Sequence, residues 1–571
     1  MVGAARGLRR RILPLLPDVL LAASLLLITS LVRGRMLPFV TVSPDSVDPL
    51  LRALQIGPGG SWLPPGHGPQ FGPALYWLQL PLLMGVDGLR GAFERMLTGQ
   101  ALTGLAAYLA VRLAWGGATA SGTGAWPARL GAFTAALAVA SAHGPRLALA
   151  HTYETYQAPE LVSLVTLATV IALVGRRRSG WLAAAALTPL AMMVHPFTVC
   201  LVPGLLLLAF RVARREGARS VAAGSALCAV VALPGLLQLA RTAFGSDRGL
   251  GALGAVARSA SAPLADGTGA LAGIVETFVR PELPPLGPLL IVAPILALGA
   301  AGIVFQRTRQ RSDRARLWMA AWLVLSQVSL LGAALAVSYL RPYHGRILLA
   351  PGAVALGMLA AWVTRVGLRW IAALWPAEAP GPVRAVVDLA VVAVLVAAAA
   401  LTSNRVADRW SSRMPADDDL AVHARLAATI SREAGDDARW VEVVSLGGPR
   451  SAWGYGPALV LDQRLAGEPA DRFSADGSLF LLVHGPEPLA RSASTVAAEQ
   501  GLSPHPRGAG DGAPALLLPR LETPAVSREF TAALCRAVPG ARARRDAHEY
   551  LAGADGDPDG WFDGCMFGER D

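Results

Sequence analysis

The chain has 571 residues, 53% of them hydrophobic and 16% charged, with a mean hydropathy of +0.45. A soluble protein of this length does not carry so apolar a composition, which places the chain among polytopic membrane proteins. It contains no lysine, so its formal net charge of +11 rests on arginine. Those arginines fall between apolar runs, where membrane orientation accounts for them, and no nucleic-acid partner is expected.

Basic residues from Arg6 to Arg11 precede an apolar run over 12–32. The run is long and lacks a small-residue cleavage site, so it reads as a retained span that starts in the cytoplasm. The polar loop that follows, Thr41-Val42-Ser43-Pro44-Asp45-Ser46-Val47-Asp48-Pro49, is then outside. A Gly/Pro-rich link holding His67 leads on to Phe71-Gly72-Pro73-Ala74-Leu75-Tyr76-Trp77. Residues 72–86 are apolar but number about fifteen, roughly 22 Å as a helix against a hydrocarbon core of about 30 Å. They are expected at the interface rather than across the bilayer. That choice keeps Arg176-Arg177-Arg178, the group Arg211, Arg214 and Arg215, and the cluster from Arg307 to Arg316 on the cytoplasmic side.

Further spans are expected over 94–114, 129–149, 158–175, 181–195, 197–211, 220–240, 287–305, 317–340, 347–364 and 386–402, about eleven transmembrane helices in all. Along a path through the bilayer these spans read as almost free of ionisable residues, apart from Asp388 near the inner end of the last. Basic runs flank both ends of the pair around His195-Pro196, so it reads as a hairpin turning near the outer face. Cys200 and Cys228 fall within apolar segments and read as inert packing residues.

From Asn404 the composition turns polar, giving an expected division into a transmembrane domain, 1–403, and an extracytoplasmic α/β domain, 404–571. Helices are expected over 417–433, 455–465, 486–500 and 527–538, and strands over 440–446, 478–483 and 513–518. Cys535 and Cys565 lie here, and outside the cytoplasm they would form a disulfide. No phosphate-binding loop of the GxxxxGK[ST] type occurs.

The polar residues expected on the outer side gather in a few loops. Asp45 and Asp48 are three residues apart, so they would share a face on a helical turn or flank one ligand in a loop. A carboxylate so placed takes a proton from a hydroxyl nucleophile or shares a divalent cation; Asp48 could equally cap a helix beginning at Pro49. Glu154 is a second outer carboxylate, available for acceptor or metal or merely solvated. His195 is a candidate ligand or a packing residue. Arg341, Tyr343, His344 and Arg346 stand between two apolar spans against the inward bias of arginine, and they suit either a phosphate clamp or head-group anchoring.

In order and spacing these features resemble the GT-C superfamily of integral-membrane glycosyltransferases, in the branch of protein O-mannosyltransferases and aminoarabinose transferases. The likeness rests on Ser43-Pro44-Asp45-Ser46-Val47-Asp48, Gly72-Pro73-Ala74-Leu75-Tyr76-Trp77, Met192-Met193-Val194-His195-Pro196 and Arg346-Ile347-Leu348-Leu349-Ala350-Pro351. Two departures stand out: Asp45-Ser46 replaces the family's Asp-Glu, and Trp77 replaces a second Tyr. The resemblance implies a polytopic all-α membrane domain with a soluble appendage. It implies transfer of a sugar from a polyprenyl phosphate to a cell-envelope glycan, lipid or protein. Asp45 would act as base, and Asp48, His67, Tyr76, Glu154, His195, Arg341, Tyr343, His344 and Arg346 would contact substrate. A divalent cation held by Asp45, Asp48 and Glu154 is an open possibility. The other expectations are a transporter or flippase of envelope lipids, which needs ionisable residues along a path through the bilayer, or an inactive envelope scaffold.

Overall fold

The computed structural model describes residues 15–35, 37, 47, 50, 53–54, 56, 73–86, 88–116, 125–142, 154–244, 286–337, 347–374, 381–411, 424, 439–445, 478–484, 494–499, 505–507, 515–521, 533 and 545–546. The chain is a helical multi-pass membrane protein. Its helices are α1 Leu16–Gly34, the single turns α2 Ala74–Trp77 and α3 Leu80–Leu83, α4 Leu89–Gly116, α5 Trp126–Ala142, α6 Glu154–Leu173 and α7 Arg178–Val194. A 3-10 turn over Pro196–Leu201 leads into α8 Val202–Glu216, followed by α9 Ala218–Phe244, α10 Leu286–Thr308, α11 Arg311–Val337, α12 Leu349–Leu374 and α13 Gly381–Ser411. Among the described residues, five stretches are long and apolar enough to cross a bilayer: Pro196–Glu216, Ala218–Ala240, Arg311–Ala333, Leu349–Leu368 and Val386–Arg405. Leu16–Val32, Ala158–Leu173 and Val292–Thr308 are shorter apolar stretches.

Each expected span coincides with one of these helices. The segment whose reading sets the topology forms two four-residue helices, α2 and α3, separated by Leu78 and Gln79. Together they cover Ala74–Leu83, ten residues, about 15 Å of rise, well short of the hydrocarbon thickness.

Without a hydrophobic force between helices in lipid, packing depends on close backbone approach at small residues. The α5–α12 crossing is the clearest case. A Cβ on Gly131 would sit 2.4 Å from the carbonyl oxygen of Gly357, and one on Gly357 would sit 2.5 Å from that of Gly131. On the α6–α7 side, Gly180 lies against Ala168 and Ala172, and Gly224 of α9 makes room for the buried Trp181. Wide apolar faces stay uncovered, with Leu206, Val230, Ile295, Val363 and Val394 each more than half exposed, as lipid-facing surface requires.

Beyond the bundle lies a five-stranded mixed sheet: β1 Arg439–Ser445, β2 Ser478–His484, β3 His505–Arg507, β4 Ala515–Leu521 and β5 Arg545–Asp546, in the order β3-β4-β2-β1-β5. β1 and β2 run parallel in the register Arg439↔Ser478 to Ser445↔His484; the other pairs are antiparallel. Pro506 occupies an edge strand, and Pro519 falls where the β2–β4 register shifts between Leu479 and Leu481. Both are places where a missing N–H is tolerated. Of the helices expected around the sheet, only 424, 494–499 and 533 are among the described residues.

Candidate functional site

The direction of each helix follows from the contacts at its ends. Arg316, near the start of α11, donates to the carbonyls of Ala114 and Trp115 at the end of α4 (3.1 and 3.2 Å). Arg215, at the end of α8, donates to the carbonyl of Ala172 at the end of α6 (2.8 Å). Arg211 feels the charges of Arg314, Arg215, Arg214 and Arg176, and its guanidinium stacks on Trp318. Asp18 near the start of α1 bonds Arg112 near the end of α4 and Arg129 near the start of α5. All these groups gather at one end of the bundle.

Following each helix to its other end brings Gly34, Leu89, Glu154, Val194 and Leu349 to the opposite side. The described chain therefore reaches that side at every point that adjoins an expected site loop. Glu154 is the first residue of α6. Tyr76, in α2, is fully buried, and α2 packs against α7. Gln79, one turn later, is also fully buried, and neither polar atom of its carboxamide has a hydrogen-bond partner among the described residues. Ile347 and Leu348, which follow Arg346, are buried at the start of α12.

His195 ends α7 in an extended conformation (φ −152°, ψ 124°). Its Nδ1 accepts from the Phe197 N–H (3.2 Å), and its carbonyl accepts from the Thr198 N–H (3.0 Å) and hydroxyl (2.7 Å). The imidazole stacks on Phe197 at 5.7 Å between ring centroids and is 3% exposed. With Nδ1 committed as an acceptor, a neutral ring carries its proton on Nε2. The side chain thus caps the Pro196–Leu201 turn by accepting from one of its first N–H groups. Cys200 is buried and Cys228 half-buried, both as free thiols.

Asp45, Asp48, His67, Arg341, Tyr343, His344, Arg346, Cys535 and Cys565 lie outside the described residues, as does the side chain of Glu154. Among the described residues, no three His, Cys, Asp or Glu side chains converge as a metal site.

Near their arginine-rich ends the helices carry ionic clusters that the sequence did not reveal. Both oxygens of Asp18 are engaged: Oδ1 by Arg112 Nε (2.6 Å) and the Tyr108 hydroxyl (3.0 Å), Oδ2 by Arg112 Nη2 (3.2 Å) and Arg129 Nε (3.2 Å). Arg129 also lies over the Trp126 ring (5.3 Å to its centroid), and the Trp126 indole N–H donates to Asp388 (2.6 Å). A second group joins Asp313 to Arg316 (2.5 Å) and to the Thr308 hydroxyl (2.6 Å). These charges sit within about two turns of the arginine-rich helix ends, so they form no path through the bilayer. They escaped sequence reading because charges near the ends of apolar runs look like span boundaries. Tyr108 and Asp18, 90 residues apart, have no local signature.

No protein-family model and no curated protein sequence matches the chain. Two solved structures show a distant likeness: crystal structures of ArnT from Cupriavidus metallidurans, in the apo state and bound to undecaprenyl phosphate. Each is 13% identical. The apo structure covers 86% of this chain and 97% of its own at a TM-score of 0.43; the bound structure covers 88% and 97% at 0.46.

Proposed function

We propose that the chain is a glycosyltransferase that takes a sugar from a polyprenyl phosphate and gives it to a cell-envelope glycan, lipid or protein at the outer face of the cytoplasmic membrane. The observation that carries this reading is the shared side of the bundle. The helix ends next to the Asp45 loop, the Tyr76 segment, Glu154, His195 and the Arg341–Arg346 loop all point away from the arginine clusters. By the positive-inside rule those clusters belong in the cytoplasm, which puts the reactive loops outside.

In the proposed reaction the Asp45 carboxylate takes the proton of an acceptor hydroxyl as its oxygen attacks the anomeric carbon. The bond from that carbon to the donor phosphate breaks with inversion, and the polyprenyl phosphate leaves with the electron pair. Arg346 and Tyr343, with Arg341 and His344, would hold the leaving phosphate, because cationic donors matter more than a general acid when the leaving group is already an anion. Tyr76, Asp48, His67, Glu154 and His195 would line the donor and acceptor sites. Any divalent cation would fall to Asp45, Asp48 and Glu154. With eleven spans, the sheet-bearing domain that follows α13 would lie on the same side.

The test is transfer from radiolabelled polyprenyl-phosphate sugars by the purified full chain. Asp45→Asn is expected to fold as the parent does and to lose transfer. Full activity in that variant would end the base assignment, and absence of transfer with every donor would end the reading itself.

A further inference from the structure

At the arginine-rich end, a recess opens where the end of α4 meets α10, α11 and α12. Ala297, Ala300 and Ala301 of α10 form a floor of small side chains, and Trp115 and Trp362 form facing walls. Leu296, Ile303 and Val363, each next in sequence to a residue lining the recess on the same helices, are 50%, 51% and 61% exposed.

Its polar groups are unevenly matched. Arg316 is satisfied by Asp313 and by the carbonyls of Ala114 and Trp115, and it stacks on the Trp115 ring (4.5 Å). The Trp115 indole N–H is buried with no acceptor among the described residues. Arg365, one turn beyond Trp362 on α12, is half-buried, has no hydrogen bond or ion pair among the described residues, and is near enough for Arg316 to feel its charge. Two guanidiniums against one carboxylate leave a charge of +1 beside an unpaired N–H donor. Burying an N–H without an acceptor is costly, and the half-buried Arg365 adds positive charge near it, so the arrangement favours an anion.

We propose that this recess binds an anionic phospholipid. The phosphodiester accepts from Arg365 and from the Trp115 indole N–H, and an acyl chain lies along the alanine floor. Basic pockets between membrane helices at the headgroup level bind such lipids on these physical grounds. The site is at the opposite end of the bundle from the proposed transfer chemistry and stands independently of it.

The test uses the full chain, stripped with neutral detergent and reconstituted into nanodiscs of phosphatidylcholine with or without phosphatidylglycerol. Retained lipid is counted by native mass spectrometry, and the thermal midpoint is followed. The expected result is selective retention of phosphatidylglycerol with a raised midpoint. Trp115→Phe keeps the ring over Arg316 and removes only the N–H, so it should lower apparent affinity about fivefold, as for one charge-assisted hydrogen bond. Arg365→Gln should lower it about tenfold or more. Ala300→Phe fills the floor and should abolish retention while leaving every charge in place. Equal retention of phosphatidylcholine would overturn the proposal. So would a midpoint rise reproduced by inorganic phosphate alone, or unchanged retention in Trp115→Phe and Ala300→Phe.

Discussion

Two ionic clusters lie at the same end of this bundle, and they are built differently. Around Asp18, one carboxylate accepts four hydrogen bonds from three side chains on α4 and α5, and both of its oxygens are used. Around Asp313, the carboxylate is matched within its own helix by Arg316 and from the preceding turn by Thr308, while Arg316 leans on backbone carbonyls of α4. The first cluster closes around its carboxylate, with both oxygens used, and joins three helices through side chains. Among the described residues, the second leaves Arg365 and the Trp115 indole N–H unmatched beside open space. A carboxylate closed in by donors from neighbouring helices fixes their positions, whereas donors left beside open space have hydrogen-bonding capacity for a ligand.

The sharpest way to break this contrast is Asp18→Ala. It leaves Arg112 and Arg129, 7% and 1% exposed at the side chain, without their shared carboxylate. Removing one partner from a buried charge group costs about 3–5 kcal/mol. Unfolding in detergent should show a loss of that size, or the variant should fail to accumulate as folded protein. A change below about 1 kcal/mol, the range of exposed pairs, would mean that the cluster is solvated and no lock.

Asp313→Asn should cost less, about 1–3 kcal/mol in neutral detergent. Arg316 keeps its two carbonyl acceptors, and the amide oxygen can still accept from one of the two donors now bonded to Asp313. The variant also removes the one negative charge lining the recess. Phosphatidylglycerol should therefore bind it more tightly than the parent and recover part of the lost stability. If stability falls equally with and without anionic lipid, the two clusters are the same kind of structure and the contrast fails.

The sequence made the helices legible and left their connections through charge hidden. Apolar runs of about twenty residues carry their own evidence, and the shortness of the segment that forms Ala74–Trp77 and Leu80–Leu83 followed from counting residues against bilayer thickness, though its division into two turns did not. The central strands were found within a few residues because each has seven residues of apolar or β-branched character. β3 and β5, of three and two residues, are too short to show alternation and exist through pairing to a neighbour. The Asp18 cluster joins residues 94 and 111 apart, a relation that only the folded bundle creates. Of the expected site, Tyr76 and His195 are visible as buried residues on the side opposite the arginines. The sequence foresaw His195 as ligand or packing residue, and its bond from Phe197 reveals a cap.

The smallest predicted effect concerns Asp388, whose part in the closed cluster is indirect. Its Oδ1 accepts from the Trp126 indole N–H, and the face of that same ring carries Arg129. An amide oxygen can replace a carboxylate oxygen in this bond, so Asp388→Asn should cost less than about 1 kcal/mol, the difference between a charged and a neutral acceptor. Asp388→Leu removes the acceptor, orphans the N–H and should cost about 1–3 kcal/mol. The two guanidiniums at Asp18 outnumber its carboxylate by one, and Asp388 is the next acidic group along the chain of contacts. If its charge were balancing that excess, Asn would be nearly as damaging as Leu. Equal losses in the two variants would extend the closed cluster across Trp126 to α13, and a clear gap would confine it to α1, α4 and α5.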